Sequence, residues 1–137
     1  MSNSGAAKEL TIMMTDVVGS TALRRARGDR TADDILGLQA AIVQDQVTAF
    51  GGRVSKSLGD GFLISFRSTV AAVRAAVAIQ SALHQHNTAD PQQAVEIRIG
   101  IHTGQVTERD GDLLGQAVHA SARVMAEAVG GQILTSG

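Results

Sequence analysis

The chain contains no cysteine, tryptophan or tyrosine, and it has only three phenylalanines. The lack of cysteine excludes disulfide bonds and thiolate metal sites. With three aromatic rings, a stacking platform for nucleic-acid bases would be hard to build. The formal net charge of −1 at pH 7 also provides no basic field that would attract a polyanion. We therefore expect no nucleic-acid partner.

Long hydrophobic runs are missing as well, so no segment of the sequence predicts a membrane span. The first ten residues, MSNSGAAKEL, lack the apolar core of a signal peptide. The sequence therefore favours a cytoplasmic protein without a membrane partner. Its 137 residues and 44% hydrophobic content fit one globular domain with an aliphatic core. We expect residues 1–9 to be an N-terminal tail and residues 10–137 to form that domain.

Hydrophobic periodicity and turn residues predict three strands and two helices in the first half of the chain. Residues 10–18 are typical of a central strand that is apolar on both faces. A short helical piece follows as far as Gly28, and a longer helix ends at Gly51-Gly52. Two short strands within residues 53–66 flank Asp60-Gly61, a strong hairpin signal. The longer helix is expected to bury Ile35, Leu38, Ile42 and Val43.

The second half predicts a helix, a strand, a helix and a strand. The first helix begins at a capping residue, Ser68 or Thr69. Its expected core residues are Val70, Val73, Val77 and Leu83. Residues 95–104 alternate between apolar and polar side chains, which indicates a strand with Arg98 on its outer face.

The final helix opens at Gly115 and is expected to run to about Val129. Residues 132–136 form the last strand. The resulting order is β-α-β-β-α-β-α-β. This order predicts an α+β fold with a ferredoxin-like split βαβ core, in which helices pack on a mixed or antiparallel sheet.

Two aspartates stand at the ends of predicted strands. Asp16 ends the first strand, and Asp60 lies at the tip of the hairpin. Because these strands are neighbours in a split βαβ sheet, the two carboxylates could meet at one sheet end. Paired carboxylates suit Mg²⁺ or Mn²⁺, and the loop from Val17 to Thr21 would offer backbone N–H groups to phosphates. A hairpin turn without a metal and a capping role for Asp16 explain the same residues.

Two further pairs of polar residues have both a functional and a simpler interpretation. His119 and Arg123 lie four residues apart on one face of the final helix, where an Arg123–Glu127 surface pair is the simpler interpretation. Lys56 and Asp112 are a donor and an acceptor in separate segments, and the simpler interpretation is two solvated charges. The residues alone leave these alternatives open.

Four stretches taken together resemble the catalytic domain of class III nucleotidyl cyclases, the adenylyl and guanylyl cyclases. They are TDVVGST at 15–21, KSLGDGF at 56–62, RIGIHTG at 98–104 and DLLGQAVHASARV at 112–124. They occur in the family's order with family-like spacing, and the resemblance spans residues 10–135. Residues 10–137 are thus expected to be a cyclase catalytic domain that is truncated at its C-terminal strands.

The resemblance implies a metal and phosphate half of the site. Asp16 and Asp60 match the aspartates that bind two divalent cations, Mg²⁺ or Mn²⁺, and the Val17 carbonyl matches a further metal ligand. The loop whose backbone contacts the triphosphate corresponds to Val18, Gly19, Ser20 and Thr21.

The resemblance also implies a purine and transition-state half. Lys56 and Asp112 match the residues that contact the purine, and Arg123 matches the arginine that stabilises the transition state. His119 stands where most members have the asparagine thought to orient the ribose. In the family the two halves come from different subunits, which implies a homodimer with two shared sites.

The implied reaction converts ATP to cyclic AMP and pyrophosphate by attack of the 3′-oxygen on the α-phosphate. A lysine can only donate and a carboxylate can only accept, so Lys56 and Asp112 complement the N1 acceptor and N6 amino group of adenine. Guanine presents the reverse polarity, and mispaired buried polar groups cost about 1–3 kcal/mol each. We therefore expect ATP rather than GTP as the substrate.

Two departures from the family pattern support an alternative function. His119 replaces the usual asparagine, and no lysine follows Lys56, although family domains continue through strands that carry a phosphate-contacting lysine. The alternative is a catalytically weak or inactive nucleotide-binding or dimerisation module. A diguanylate-cyclase-like enzyme is disfavoured because the hairpin sequence LGDGF, residues 58–62, lacks that family's motif.

Overall fold

The computed structural model describes residues 7–136, which form six β-strands and four α-helices. The strands are β1 (Ala7–Val17), β2 (Arg53–Leu58), β3 (Gly61–Phe66), β4 (Ile97–Arg109), β5 (Asp112–Leu114) and β6 (Ile133–Thr135). The helices are α1 (Ser20–Arg27), α2 (Asp29–Ala49), α3 (Thr69–Ala89) and α4 (Gln116–Ala126), with a 3₁₀ turn at Pro91–Gln93. Within this described range, no helix is long and apolar enough to cross a membrane.

The sheet has the strand order β2-β3-β1-β4-β5, and neighbouring strands in this order are antiparallel. Strand β6 pairs in parallel with residues 99–101 of β4, close to the N-terminal end of that strand. This arrangement confirms the predicted α+β fold with a mixed sheet. Strand β5 was not predicted, because its three residues are too few for a period of two to be recognised.

The two faces of the sheet have separate cores. Met13 and Val17 of β1 face the cluster formed with α2 and α3, whereas Ile12 and Met14 face the smaller cluster under α4. This alternation is the ordinary consequence of a strand, whose successive side chains point to opposite faces. Strand β1 is therefore apolar on both faces, as the sequence predicts for a central strand.

Helix α3 contacts the sheet through a different stripe from the one expected. Its buried residues are Ala72, Ala75, Ala76, Ile79 and Leu83. Val70 and Val77 were expected in the core but are 59% and 52% exposed. The alanines follow helical spacing and allow the helix backbone to lie close to the sheet, so the larger valines fall outside the contact. Of the expected core residues, Leu83 is buried and Val73 packs at the margin.

Helix α2 shows a similar difference. Ile35 and Val43 are fully buried, and Ile42 packs against their cluster. Leu38, expected on the same face, is 37% exposed, and Gln39 is buried in its place. The helical stripe is thus rotated by one residue relative to the prediction, and it brings a polar side chain into the core.

Helix α4 packs against β4 at unusually short range because two glycines of β4 lie beneath it. A Cβ at Gly100 would lie 2.3 Å from the backbone nitrogen of Met125, and a Cβ at Gly104 would lie 3.2 Å from the Ala117 Cβ. The helix ends at Ala126, three residues before the expected Val129. The close approach of α4 to the sheet therefore depends on glycine at both ends of the contact, Gly104 beneath Ala117 and Gly100 beneath Met125.

The close contact of α4 with β4 predicts the effect of adding one methyl group. Gly100→Ala is expected to destabilise the fold by about 1–3 kcal/mol, because its Cβ has no space beside Met125. Gly37→Ala is the matched control: its Cβ meets nothing within 4 Å in the middle of α2, so alanine should stabilise the helix by about 0.5–1 kcal/mol. Urea denaturation measures both changes. Equal stability of Gly100→Ala and the unmodified chain would contradict this packing.

Candidate active site

The Asp60 turn lies directly against the end of β1. Thr15 pairs with Phe62 in the antiparallel register, and the Phe62 N–H donates to Thr15 Oγ1 over 3.1 Å. A Cβ at Gly61 would lie 1.9 Å from the Thr15 carbonyl oxygen and 3.2 Å from the Asp16 Cα. Only glycine permits this approach. The backbone therefore brings Asp16 and Asp60 to the same edge of the sheet.

Asp16 is paired with an arginine that sequence reasoning did not single out. Arg98 of β4 is the direct cross-strand partner of Asp16, and its Nη2 lies 3.1 Å from Asp16 Oδ2. The second guanidinium nitrogen, Nη1, donates to the Ala126 carbonyl at the end of α4 over 3.4 Å. Arg98 was predicted only as an outward-facing residue. The register between β1 and β4 would have identified it, but periodicity gives the face of a strand and not its register.

The loop after β1 lines an open cavity of about 460 Å³. Its walls are Asp16, Arg98, residues 17–19 and residues 128–130. Gly19 has a left-handed backbone (φ 73°) and precedes α1, and no side chain caps this helix in the described structure. The N–H groups of the first turn, which includes Ser20 and Thr21, therefore point from a helix N-terminus with no capping acceptor.

Helix α1 is held to α2 by an ion pair. Arg24 Nη1 lies 2.8 Å from Asp33 Oδ1, and the hydrogen bond and charge of Asp33 raise the pKa of Arg24 above its ordinary value. Asp29 lies 3.5 Å from the same nitrogen. Helix α1 has no fully buried residue, but Leu23 packs against the main core cluster, and these ion pairs add a second contact between α1 and α2.

The donor groups at this edge suit a hard divalent cation that also binds a substrate. Two carboxylates and a nearby backbone carbonyl are oxygen donors, as Mg²⁺ and Mn²⁺ prefer. Residues 7–136 contain no cluster of three or more His, Cys, Asp or Glu side chains that could hold a metal ion by themselves. The residues fit a cation that completes its coordination with water and phosphate oxygens, which is usual for Mg²⁺.

Lys56 and Asp112 form an ion pair although 56 residues separate them. Lys56 Nζ lies 3.3 Å from Asp112 Oδ1 and 3.5 Å from Oδ2. Ser55 Oγ donates to the Gly111 carbonyl over 3.4 Å beside it. The outer strands β2 and β5 therefore meet, and the two charges are paired with each other while both remain about half exposed to solvent. The register of β2 is irregular between Val54 and Lys56, which bends this strand.

A second set of charged side chains connects strands in the same region of the sheet. Glu108 of β4 accepts from Lys8, and the Lys8 ammonium lowers the pKa of the Glu108 carboxyl. Arg53 of β2 lies 3.9 Å from the other oxygen of Glu108. These charges link β1, β2 and β4 close to the Lys56–Asp112 pair.

His119 and Arg123 both lie on the exposed side of α4. Among residues 7–136, neither side chain makes a hydrogen bond or an ion pair, so the Arg123–Glu127 pair is not formed. Two exposed polar side chains on one helix face, with no partner in their own chain, are available to a ligand or a second chain. The described structure thus has two groups of candidate residues: the aspartates with the loop, and Lys56–Asp112 with the α4 face.

Comparison with known proteins identifies the family. Residues 3–137 match the family model of the adenylate and guanylate cyclase catalytic domain. The chain belongs to this family. Cyclase domains of this class generally use divalent metal ions, bind a nucleotide substrate and usually act as dimers.

Three relatives show the range of this cyclase family. The putative adenylate cyclase 3 of Rhizobium meliloti is 32% identical over 126 residues, which are 91% of this chain but 22% of that protein. A crystal structure of an adenylate/guanylate cyclase/hydrolase from Silicibacter pomeroyi is 30% identical, with a TM-score of 0.81 over 96% of this chain and 76% of that one. The guanylyl cyclase Cya2 is 27% identical, with a TM-score of 0.84 over 97% and 77%. Because relatives of both names match, membership shows a nucleotidyl cyclase domain and does not assign the base.

The approach of the Asp60 turn to β1 can be tested in this cyclase domain by adding a methyl group. Gly61→Ala is expected to cost about 1–3 kcal/mol, because the Thr15 carbonyl occupies the position of the new Cβ. Gly59→Ala, in the same turn, meets nothing within 4 Å and carries only the strain of its positive φ of 68°. Thermal denaturation should show the larger loss for Gly61→Ala. A larger loss for Gly59→Ala would contradict the described contact.

Proposed function

We propose that the chain is the catalytic domain of an adenylyl cyclase, which converts ATP to cyclic AMP and pyrophosphate. The observation that carries this proposal is the approach of the Asp60 turn to Asp16 beside the uncapped start of α1. The family relationship supports it, because nucleotidyl cyclases perform this class of reaction. Residues 10–137 are proposed to form the catalytic unit.

The proposed metal ligands are Asp16, Asp60 and the Val17 carbonyl. Two divalent cations, Mg²⁺ or Mn²⁺, would supply Lewis-acid stabilisation of phosphate charge and lower the pKa of the ribose 3′-hydroxyl. Gly19, Ser20 and Thr21 would direct backbone N–H groups at the triphosphate. The Val18 N–H donates to the Glu96 carbonyl over 2.9 Å, so Val18 would anchor the proposed phosphate loop to the sheet. Arg98 adds a cation at the wall of the same cavity, where it now neutralises Asp16.

The proposed purine contacts are Lys56 and Asp112. Their observed separation of 3.3 Å is compatible with two groups that bind neighbouring atoms of one base edge. Lys56 would donate to adenine N1, and Asp112 would accept from the N6 amino group. Both side chains are about half exposed, so substrate can reach them. This polarity favours ATP over GTP.

The α4 face would complete the site across a dimer. Arg123 would stabilise negative charge on the α-phosphoryl group as the transition state forms, and His119 would donate to the ribose. Since both are exposed and without partners in their own chain, a second copy can bring its aspartates and loop to them. A head-to-tail homodimer would then contain two equivalent shared sites.

Loss of a proposed metal ligand should stop turnover without unfolding the domain. Asp16→Ala is expected to lower the rate of cyclic AMP formation by roughly 100-fold or more. The reason is that the cation that would neutralise the phosphates loses one of its ligands. Asp45→Ala, an exposed aspartate of α2, is the control and should keep full activity. Rates with Mn²⁺ and Mg²⁺ are measured with circular dichroism as the check on folding. Full activity of Asp16→Ala would refute the proposed metal site.

Base recognition can be separated from metal binding. Lys56→Ala and Asp112→Ala should each lower kcat/KM for ATP by roughly 10- to 100-fold and reduce the preference for ATP over GTP. Arg30→Ala removes an exposed cation of α2, away from this pair, so it is the control and should keep that preference. Competition assays with both nucleotides measure the ratio. An unchanged ratio in both variants would assign the purine site to other residues.

Mixing two inactive variants tests the shared site. Asp16→Ala and Arg123→Ala are each expected to be inactive alone, whereas their equimolar mixture should recover about a quarter of the normal activity, since half of the dimers then contain one intact site. Specific activity should also rise with protein concentration. A mixture as inactive as its components would contradict a site built from two chains.

The alternative function is a nucleotide-binding module without turnover, and His119 is the residue that favours it. The discriminating result is binding of ATP with no cyclic product under Mn²⁺ at several pH values, in protein shown to be folded. Turnover that depends on Asp60 would exclude this alternative.

A further inference from the structure

Gln39 is the one polar residue among the buried residues of α2, where its neighbours along the helix stripe are aliphatic. Its side chain is 2% exposed. Burial of an amide in an apolar cluster is unfavourable unless hydrogen bonds replace those made with water. The stripe of α2 therefore contains a group that hydrophobic packing alone does not explain.

The amide uses only its donor side. Gln39 Nε2 donates to the backbone carbonyl of Asp60 over 3.3 Å. Its oxygen, Oε1, is buried and has no partner among the described residues. A methionine would fill similar volume without an unpaired acceptor, so the distinctive contribution of glutamine here is the bond to Asp60.

That bond reaches one of the two peptides that flank the Asp60 Cα and together set the direction of its side chain. The Asp60 carbonyl belongs to the peptide between Asp60 and Gly61, and fixing this plane fixes the rotation of the chain on the C-terminal side of the Asp60 Cα. The other of these two peptides, between Gly59 and Asp60, accepts from Ser57 Oγ, and beyond the turn the Phe62 N–H donates to Thr15 Oγ1. Gln39 approaches the same turn from the α2 side.

We propose that Gln39 is a positioning residue that locks the Asp60 peptide so that the Asp60 carboxylate is presented at the edge shared with Asp16. This inference rests on the proposed function, in which Asp60 is a metal ligand. Removal of a group that hydrogen-bonds to a metal ligand and orients it commonly lowers metal affinity or activity by about 10- to 100-fold. Gln39 would act in this way through the backbone, without touching substrate or metal.

The decisive variant is Gln39→Met, which removes both the donor and the unpaired acceptor. The melting temperature should not fall, whereas amide hydrogen exchange at Gly61 and Phe62 should accelerate by about tenfold. The Mn²⁺ concentration that gives half-maximal cyclase activity should rise by roughly tenfold, with little change in the KM for ATP. Gln44→Met, on the exposed side of the same helix, is the matched control and should change none of these values.

A second variant keeps the inference testable if methionine perturbs the core. Gln39→Asn retains an amide but is one methylene shorter, so it should lose the bond to Asp60 and show the same faster exchange at Gly61. Faster exchange spread through α2, α3 and β3, together with a lower melting temperature in both variants, would instead assign Gln39 a purely structural role. Unchanged exchange at Gly61 and an unchanged Mn²⁺ requirement would overturn the inference.

Failure of the proposed function would look different. If the unmodified chain makes no cyclic nucleotide, the enzymatic proposal fails. The exchange rates of Gly61 and Phe62 need neither metal nor substrate, so they still decide whether Gln39 fixes the turn.

Discussion

The antiparallel register of β1 against β3 and β4 is the constraint on which the rest of the molecule depends. Strand β1 is hydrogen-bonded on both edges and buried on both faces. A slip of one residue would exchange the residues under α4 for those under α2 and α3, so the register is strongly specified. The same register places Asp16 opposite Arg98 and Thr15 opposite Phe62. The candidate catalytic edge is therefore built on the end of the strand whose register is most strongly specified.

Charge at this edge is balanced within the chain. The Asp16 carboxylate has Arg98 as its partner, and α1 is attached through Arg24 and Asp33. Partly exposed ion pairs of this kind contribute little to stability because water screens them. Their importance is geometric, since they orient a carboxylate and a helix N-terminus around one cavity. Packing of the sheet supplies the stability, and the polar groups at its edge are the ones proposed to carry the chemistry.

The sequence predicts the elements of this fold well because hydrophobic periodicity is a local signal. It predicts less well where neighbours decide the outcome: Val70 and Val77 have the right hydrophobicity but lie on the wrong side of α3, where alanines allow closer packing. The residues of the site are predicted through a family resemblance, and the tertiary structure adds that Lys56 and Asp112 are in contact. Arg98 and Gln39 were missed because their significance depends on register and on tertiary contact.

Strand β2 lies at the rim of the sheet, and among residues 7–136 no strand pairs with its outer edge. Such an edge can recruit a strand from another molecule, and natural proteins discourage this with bulges and lysine side chains. Strand β2 has both, in the irregularity after Val54 and in Lys56 itself. The residue proposed to recognise the base is thus also of the type that discourages pairing at an open edge. Evolution of a different base preference through Lys56 would have to replace that protection as well.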